Sequence, residues 1–166
     1  KITSDLSIYA ALTVTADGKS IAAKRSEGTA NVFVVDLDNP RAARPLTVGL
    51  GNRYGLGGGR WMPGGKILFT EFSGSTTSLN IIDAKGGEMR KLLRGAFWNP
   101  IVSPDGRRLA FLTDRSGTIE LWTSDIDGGN LRQVTNVGAA TGPTWCSDGK
   151  SLVYVTAGSV QGGWKV

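Results

Sequence analysis

The chain has 166 residues, with 19 lysines and arginines against 14 aspartates and glutamates, no histidine, one cysteine and 24 glycines. Lack of histidine excludes an internal Ser-His-Asp or Cys-His catalytic arrangement and a Cys/His zinc site, and the lone Cys146 cannot close an internal disulfide. The surplus of +5 is scattered and no apolar stretch approaches a membrane span, so neither nucleic acid, nor a metal or cofactor, nor membrane insertion is expected.

In chain order the sequence repeats itself four times. Lys1-Ile2-Thr3 aligns with Pro45-Leu46-Thr47 and Gln133-Val134-Thr135, and reads as an outer strand without a blade of its own. Turns follow at Asp17-Gly18, Gly64-Gly65, Asp105-Gly106 and Asp148-Gly149. Each leads through a basic residue into an apolar, β-rich run: Ile21-Ala22-Ala23, Ile67-Leu68-Phe69, Leu109-Ala110-Phe111 and Leu152-Val153-Tyr154. The turn glycines lie 47, 41 and 43 residues apart, which is the period of a four-stranded propeller blade.

The third unit shows the strands most plainly. Strand A is Pro100 to Ser103, strand B Arg108 to Asp114, strand C Ile119 to Ser124 and strand D Leu131 to Thr135, separated by Asp-Gly, Ser-Gly and Gly-Gly turns. No segment carries a sustained 3.6-residue period, so almost no helix is expected. The predicted fold is all-β: a β-propeller of four-stranded antiparallel blades, with four blades in this chain. The blades are placed at about 4–47, 48–93, 94–135 and 136–166, with residues 1–3 as the closing outer strand. Insertions collect between blades, the longest from Val48 to Arg60, where Gly55-Leu56-Gly57-Gly58-Gly59 reads as a flexible linker. A phosphate loop would need the Lys-Ser/Thr that this stretch lacks.

Ser103-Pro104-Asp105-Gly106 followed by Ile119, Trp122, Asp125, Asp127-Gly128-Gly129, Arg132 and Val134-Thr135 resembles the TolB-type, WD-like β-propeller repeat of bacteria. The second unit departs from that pattern, with Pro63-Gly64-Gly65 in place of Pro-Asp-Gly. The phrases Leu12 to Ser20, Ala43 to Thr47 and Thr144 to Lys150 also resemble the propeller that follows the transmembrane helix of some bacterial Ser/Thr protein kinases. The resemblance implies an extracytoplasmic or periplasmic location. It also implies a D-x-x-G-G turn just beyond Val166, so the chain end reads as a cut. Rings of WD-like blades usually hold six to eight, so this chain is expected to be half of a larger ring, completed by a second copy as an eight-bladed homodimer or by the remaining half of a larger propeller, over a closed four-bladed ring.

Trp61 and Trp145 share the strand-A slot of Val14 and Val102 and read as packing between blades, as do Trp122, Trp164 and Phe33. Asp125 to Asn130 reads as a hairpin, because its glycines do not fall where a calcium loop needs them. Asn52, Arg53, Tyr54 and Arg60 lie in the long connection, Phe97, Trp98 and Asn99 in the next, and Arg25 and Arg115 near B-to-C turns. No packing rule explains these residues. From them Arg53, Tyr54, Arg60, Phe97, Trp98 and Arg115 are taken as the ligand-binding set, with no catalytic and no metal-ligating residue. Glu71 and Asp114 end two B strands, but a two-acid glycosidase site would need a defined separation between them.

The function expected is a noncatalytic binding or sensor module that recognises a protein, peptide or small ligand across its loop face. The alternatives are an accessory or gating propeller of a peptidase or lyase-like enzyme, and an excised or engineered half-propeller that self-assembles.

Overall fold

The computed structural model describes residues 8–14, 21–26, 28–36, 39–49, 52–74 and 76–156. Among them are fourteen strands and no helix. The first unit contributes β1 (Ile8–Val14) paired with β2 (Ile21–Ser26), and β3 (Phe33–Asp36) paired with β4 (Asn39–Pro45). The second is a complete antiparallel meander of β5 (Asn52–Met62), β6 (Lys66–Ser73), β7 (Thr76–Asp83) and β8 (Arg90–Arg94). The third repeats it with β9 (Trp98–Val102), β10 (Arg108–Thr113), β11 (Glu120–Asp125) and β12 (Arg132–Gln133). In the fourth, β13 (Ala140–Trp145) pairs with β14 (Leu152–Thr156). The closing strand expected at residues 1–3, and Trp164, lie outside the described residues.

β6 and β10 read as nearly unbroken apolar runs because each is covered on both faces by a neighbouring blade, which removes the usual in-out alternation. Phe69 faces a cluster of Leu46, Tyr54, Ile67 and Ile82 shared with the first unit. Leu68 faces the opposite way, into a cluster with Met62, Leu79, Ile81, Phe97, Leu109 and Phe111 between the second and third blades. Ala110, Leu112, Leu121 and Ala140 form a third layer toward the fourth unit. Each fully buried Leu or Phe in these layers contributes about 1.5–3 kcal/mol relative to exposure.

Two kinds of backbone link recur from blade to blade. Within a blade, a threonine hydroxyl two residues past strand D accepts from the start of strand C or the residue before it: Val32 N donates to Thr47 Oγ1 and Leu121 N to Thr135 Oγ1, each at 2.9 Å. Between blades, the residue entering strand A donates back to the preceding unit, Tyr54 N to Ala30 O at 2.7 Å and Ala140 N to Ile119 O at 3.0 Å.

The long connection is not the flexible linker its glycines suggest. From Asn52 onward it is strand β5, paired with β6 at both ends and broken in register between Tyr54 and Gly59. Every strand A has such a break, at Ala10/Thr13, in β9 opposite Ala110/Leu112 and at Thr141/Thr144. Gly55, Asn99 and Gly142 at these bulges have φ of 73°, 47° and 56°, so the glycine-rich run supplies the left-handed residue that a bulge requires. The packing roles expected of Trp61 and Phe33 are also corrected, since they are 63% and 58% exposed. Phe33 alternates with Val32 and Val34, and those two carry the contact with the second blade's cluster. Trp145 is half-buried beneath the Arg108 guanidinium, 5.0 Å from its ring, and Trp122 packs against the central cluster.

Candidate functional site

The D-to-A connections and B-to-C turns emerge at one end of the sheets, because strand A starts where strand B ends: Trp98, opening β9, pairs with Leu112 near the end of β10. At this loop face Arg115 is exposed in a turn closed by Gly117 N donating to Asp114 O at 2.8 Å. Arg53 lies with its guanidinium 5.8 Å from the Phe72 ring, a cation–π arrangement. Trp98 is half-buried against the cluster around Leu112 and keeps part of its surface open. Asn99 is exposed beside it. The side chain of Arg25 lies outside the described residues.

Three of the six expected ligand residues do not belong to this face. Tyr54 is 8% exposed, with its ring edge-on to Phe69 at 6.1 Å, and Phe97 is 2% exposed and edge-on to Phe111 at 5.1 Å. The sequence places both in open connections, but Tyr54 lies within β5 and Phe97 directly precedes β9, and both rings pack into the clusters between blades. Arg60 sits near the far end of β5 and lines, with Phe33, Trp61, Val32, Val34 and Ile67, a cleft of about 400 Å³.

Beneath the loop face lie two buried carboxylates. Glu71 accepts from Asn52 Nδ2 at 3.2 Å, Ser78 Oγ at 3.1 Å and Asn80 Nδ2 at 3.2 Å, with Lys91 Nζ at 3.5 Å. Glu120, 0% exposed, accepts from Thr135 Oγ1 at 2.6 Å, Thr118 Oγ1 at 3.2 Å, Gly138 N at 2.6 Å and Val137 N at 3.0 Å. Burial alone would raise the pKa of Glu120, but the hydrogen bonds from Thr135, Gly138, Val137 and Thr118 outweigh it and hold the carboxyl below its ordinary value. It therefore pins the connection into the fourth unit. Glu120 was not singled out in the sequence; the usable signal was an acid opening strand C one position before the leucine clamped by Thr135.

The two acids occupy one structural slot on opposite strands. Glu71 of β6 pairs with Ser78 of β7, and Thr113 of β10 pairs with Glu120 of β11, so carboxylate and hydroxyl have exchanged strands between consecutive blades. Asp114 is exposed and stands apart from this arrangement. Among the described residues no three His, Cys, Asp or Glu side chains gather where they could hold a metal.

No family model matches the chain. The Tol-Pal system protein TolB of Anaeromyxobacter dehalogenans (strain 2CP-C) is 36% identical over 128 residues, covering 75% of this chain and 28% of its own length. TolB from Acinetobacter baumannii superposes with a TM-score of 0.65 at 20% identity, over 92% of this chain and 39% of that one. The chain is built of TolB-type β-propeller blades. The uncharacterized peptidase YuxL of Bacillus subtilis is 41% identical over 61 residues, 36% of this chain and 9% of that protein. The TolB-type segment thus spans less than a third of the TolB relative from Anaeromyxobacter.

Proposed function

We propose that this TolB-type propeller is a noncatalytic binding module that recognises a protein or peptide across its loop face, with Arg53, Trp98 and Arg115 as contact residues. The observation that carries this reading is the state of the two carboxylates beneath that face. Each accepts at least three hydrogen bonds from the fold, so both carboxylates are engaged in tying strands and connections together. Arg and Trp are residue types enriched at binding hot spots. A periplasmic setting is part of the proposal and rests on the relationship to TolB of the Tol-Pal system. Selection of a random peptide library on the immobilised protein tests it. Enriched peptides are expected to bind at least about tenfold more weakly to the R53A/W98A/R115A variant; equal binding would end the loop-face reading. The relationship to YuxL supports a second reading, an accessory propeller of a peptidase, which predicts an α/β-hydrolase segment encoded downstream.

Self-association is also proposed. The end units leave apolar residues open, Phe33 and Val35 on β3 and Val153 and Val155 on β14, whereas β6 and β10 between them are covered on both faces. A second copy stacking end to end would cover both sets, and light scattering is expected to give twice the chain mass. A monomer at all concentrations would refute it.

A further inference from the structure

The loop face leaves unexplained a second cleft, at the other end of the sheets, between the third and fourth units. It encloses about 310 Å³ and is lined by Arg108, Arg132, Lys150, Trp145 and Tyr154, with Thr123 between them. Arg108 opens β10 just after its A-to-B turn, and Lys150 lies in the corresponding turn of the fourth unit. No carboxylate lines the cleft. Asp148, the acid nearest in sequence, is occupied by the backbone N–H groups of Lys150 at 2.8 Å and Ser151 at 3.1 Å. Arg108 is held over Trp145 and donates to Gly149 O. Arg132 and Lys150 form no ion pair among the described residues.

Such a wall is rich in donors and poor in acceptors, and that imbalance selects the ligand. A saccharide must donate many hydroxyl protons, and the side chains here offer acceptors only at Thr123, Tyr154 and the Gln133 amide oxygen. A carboxylate only accepts. The remaining lining is apolar, with Leu152 inside and Val134 46% exposed at the rim, which suits side chains rather than a phosphodiester backbone. β12 ends the third sheet and pairs with β11 alone, so its outer edge is open to strand addition among the described residues. An added strand would send alternate side chains to opposite faces.

We propose that this cleft binds an extended acidic peptide, its carboxylates paired with Arg132 and Lys150 and its apolar side chains against Val134, Leu152 and Tyr154. The probe is a fluorescein-labelled Glu-Leu-Glu-Val-Glu-Leu-Glu peptide, followed by anisotropy. It is expected to bind saturably, to weaken as salt is raised, and to lose at least about tenfold in affinity when its glutamates are replaced by glutamine. The R132E/K150E variant is expected to lose at least about tenfold as well, whereas R41E/K85E, the same charge change far from the cleft, and the loop-face triple variant bind normally. Should R132E/K150E lower the unfolding temperature, R132Q/K150Q carries the same expectation in a milder form. Absence of saturable binding overturns the proposal, as does an equal loss in R41E/K85E, which would reduce the effect to net charge. Tighter binding of oligothymidylate or of a uronic acid oligomer would also overturn it and reassign the cleft.

Discussion

Replacing Phe97 with alanine is expected to destabilise the protein by about 3–5 kcal/mol, the usual cost of truncating a buried phenylalanine. The ring is 2% exposed, lies edge-on to Phe111 at 5.1 Å and joins the cluster between the second and third blades. Its removal takes away both the transfer energy and the edge-to-face contact, and it leaves a cavity between two sheets that are each tied into their own ladders and cannot readily collapse. Denaturant or thermal unfolding monitored by tryptophan fluorescence measures the loss. Phe97→Leu, which keeps most of the volume, should recover more than half of it. A Phe97→Ala protein of unchanged stability would return this residue to the binding surface and refute the packing described here.

Glu120→Ala is expected to cost about 3 kcal/mol, because it leaves the N–H groups of Val137 and Gly138 and the Thr135 hydroxyl without their acceptor. At roughly 2–4 °C per kcal/mol for a chain of this size, the unfolding temperature should fall by about 6–12 °C. The carboxyl also makes stability depend on acid. Its folded pKa lies below the ordinary 4.5, so the unfolded chain takes up the proton first as pH falls. The stabilisation is complete above the ordinary value and is lost as pH drops below it and through the folded pKa. Asp105 and Asp148 are shifted in the same direction, chiefly by hydrogen bonds from Ser103 and Lys150 respectively, but both are exposed turn residues and should contribute weakly. Unfolding followed across the acid range should therefore show a shallower pH dependence in Glu120→Gln than in the native chain. An equal slope in the two proteins would assign the acid sensitivity elsewhere.

The blade repeat was legible because turn chemistry is local. Asp105-Gly106 and Asp127-Gly128-Gly129 mark hairpins wherever they fall, and the strands they predict in the third unit match those observed to within one residue at β10 and β11 and within two at β9, where the bulge at Asn99 lets pairing begin at Trp98, and at β12, which is shorter. Residue placement at the candidate site was less legible. Tyr54 and Phe97 looked exposed because they follow the last turn signal, yet β5 continues through a bulge to include Tyr54, Phe97 directly precedes β9, and both rings are covered in part by the neighbouring blade. That cover comes from residues far away in the sequence, which a local pattern cannot register. Glu120 was hidden for a related reason: its partners at Thr135, Val137 and Gly138 come from the strand and the connection that follow its own hairpin.

The exchange of acid and hydroxyl between strands has a consequence for modularity. In the second blade the carboxylate comes from the strand-B member of the pair, in the third from the strand-C member. A hybrid taking strand B from the second blade and strand C from the third would bring Glu71 and Glu120 face to face, and the reciprocal hybrid would place Thr113 opposite Ser78 with no acid at all. Recombination within a blade therefore produces either repulsion or an unfilled anchor, whereas exchange of whole blades preserves the match. The unit that can be duplicated or shuffled is the B–C hairpin with its strand-D clamp, and the sequences of individual strands are free to drift only in pairs.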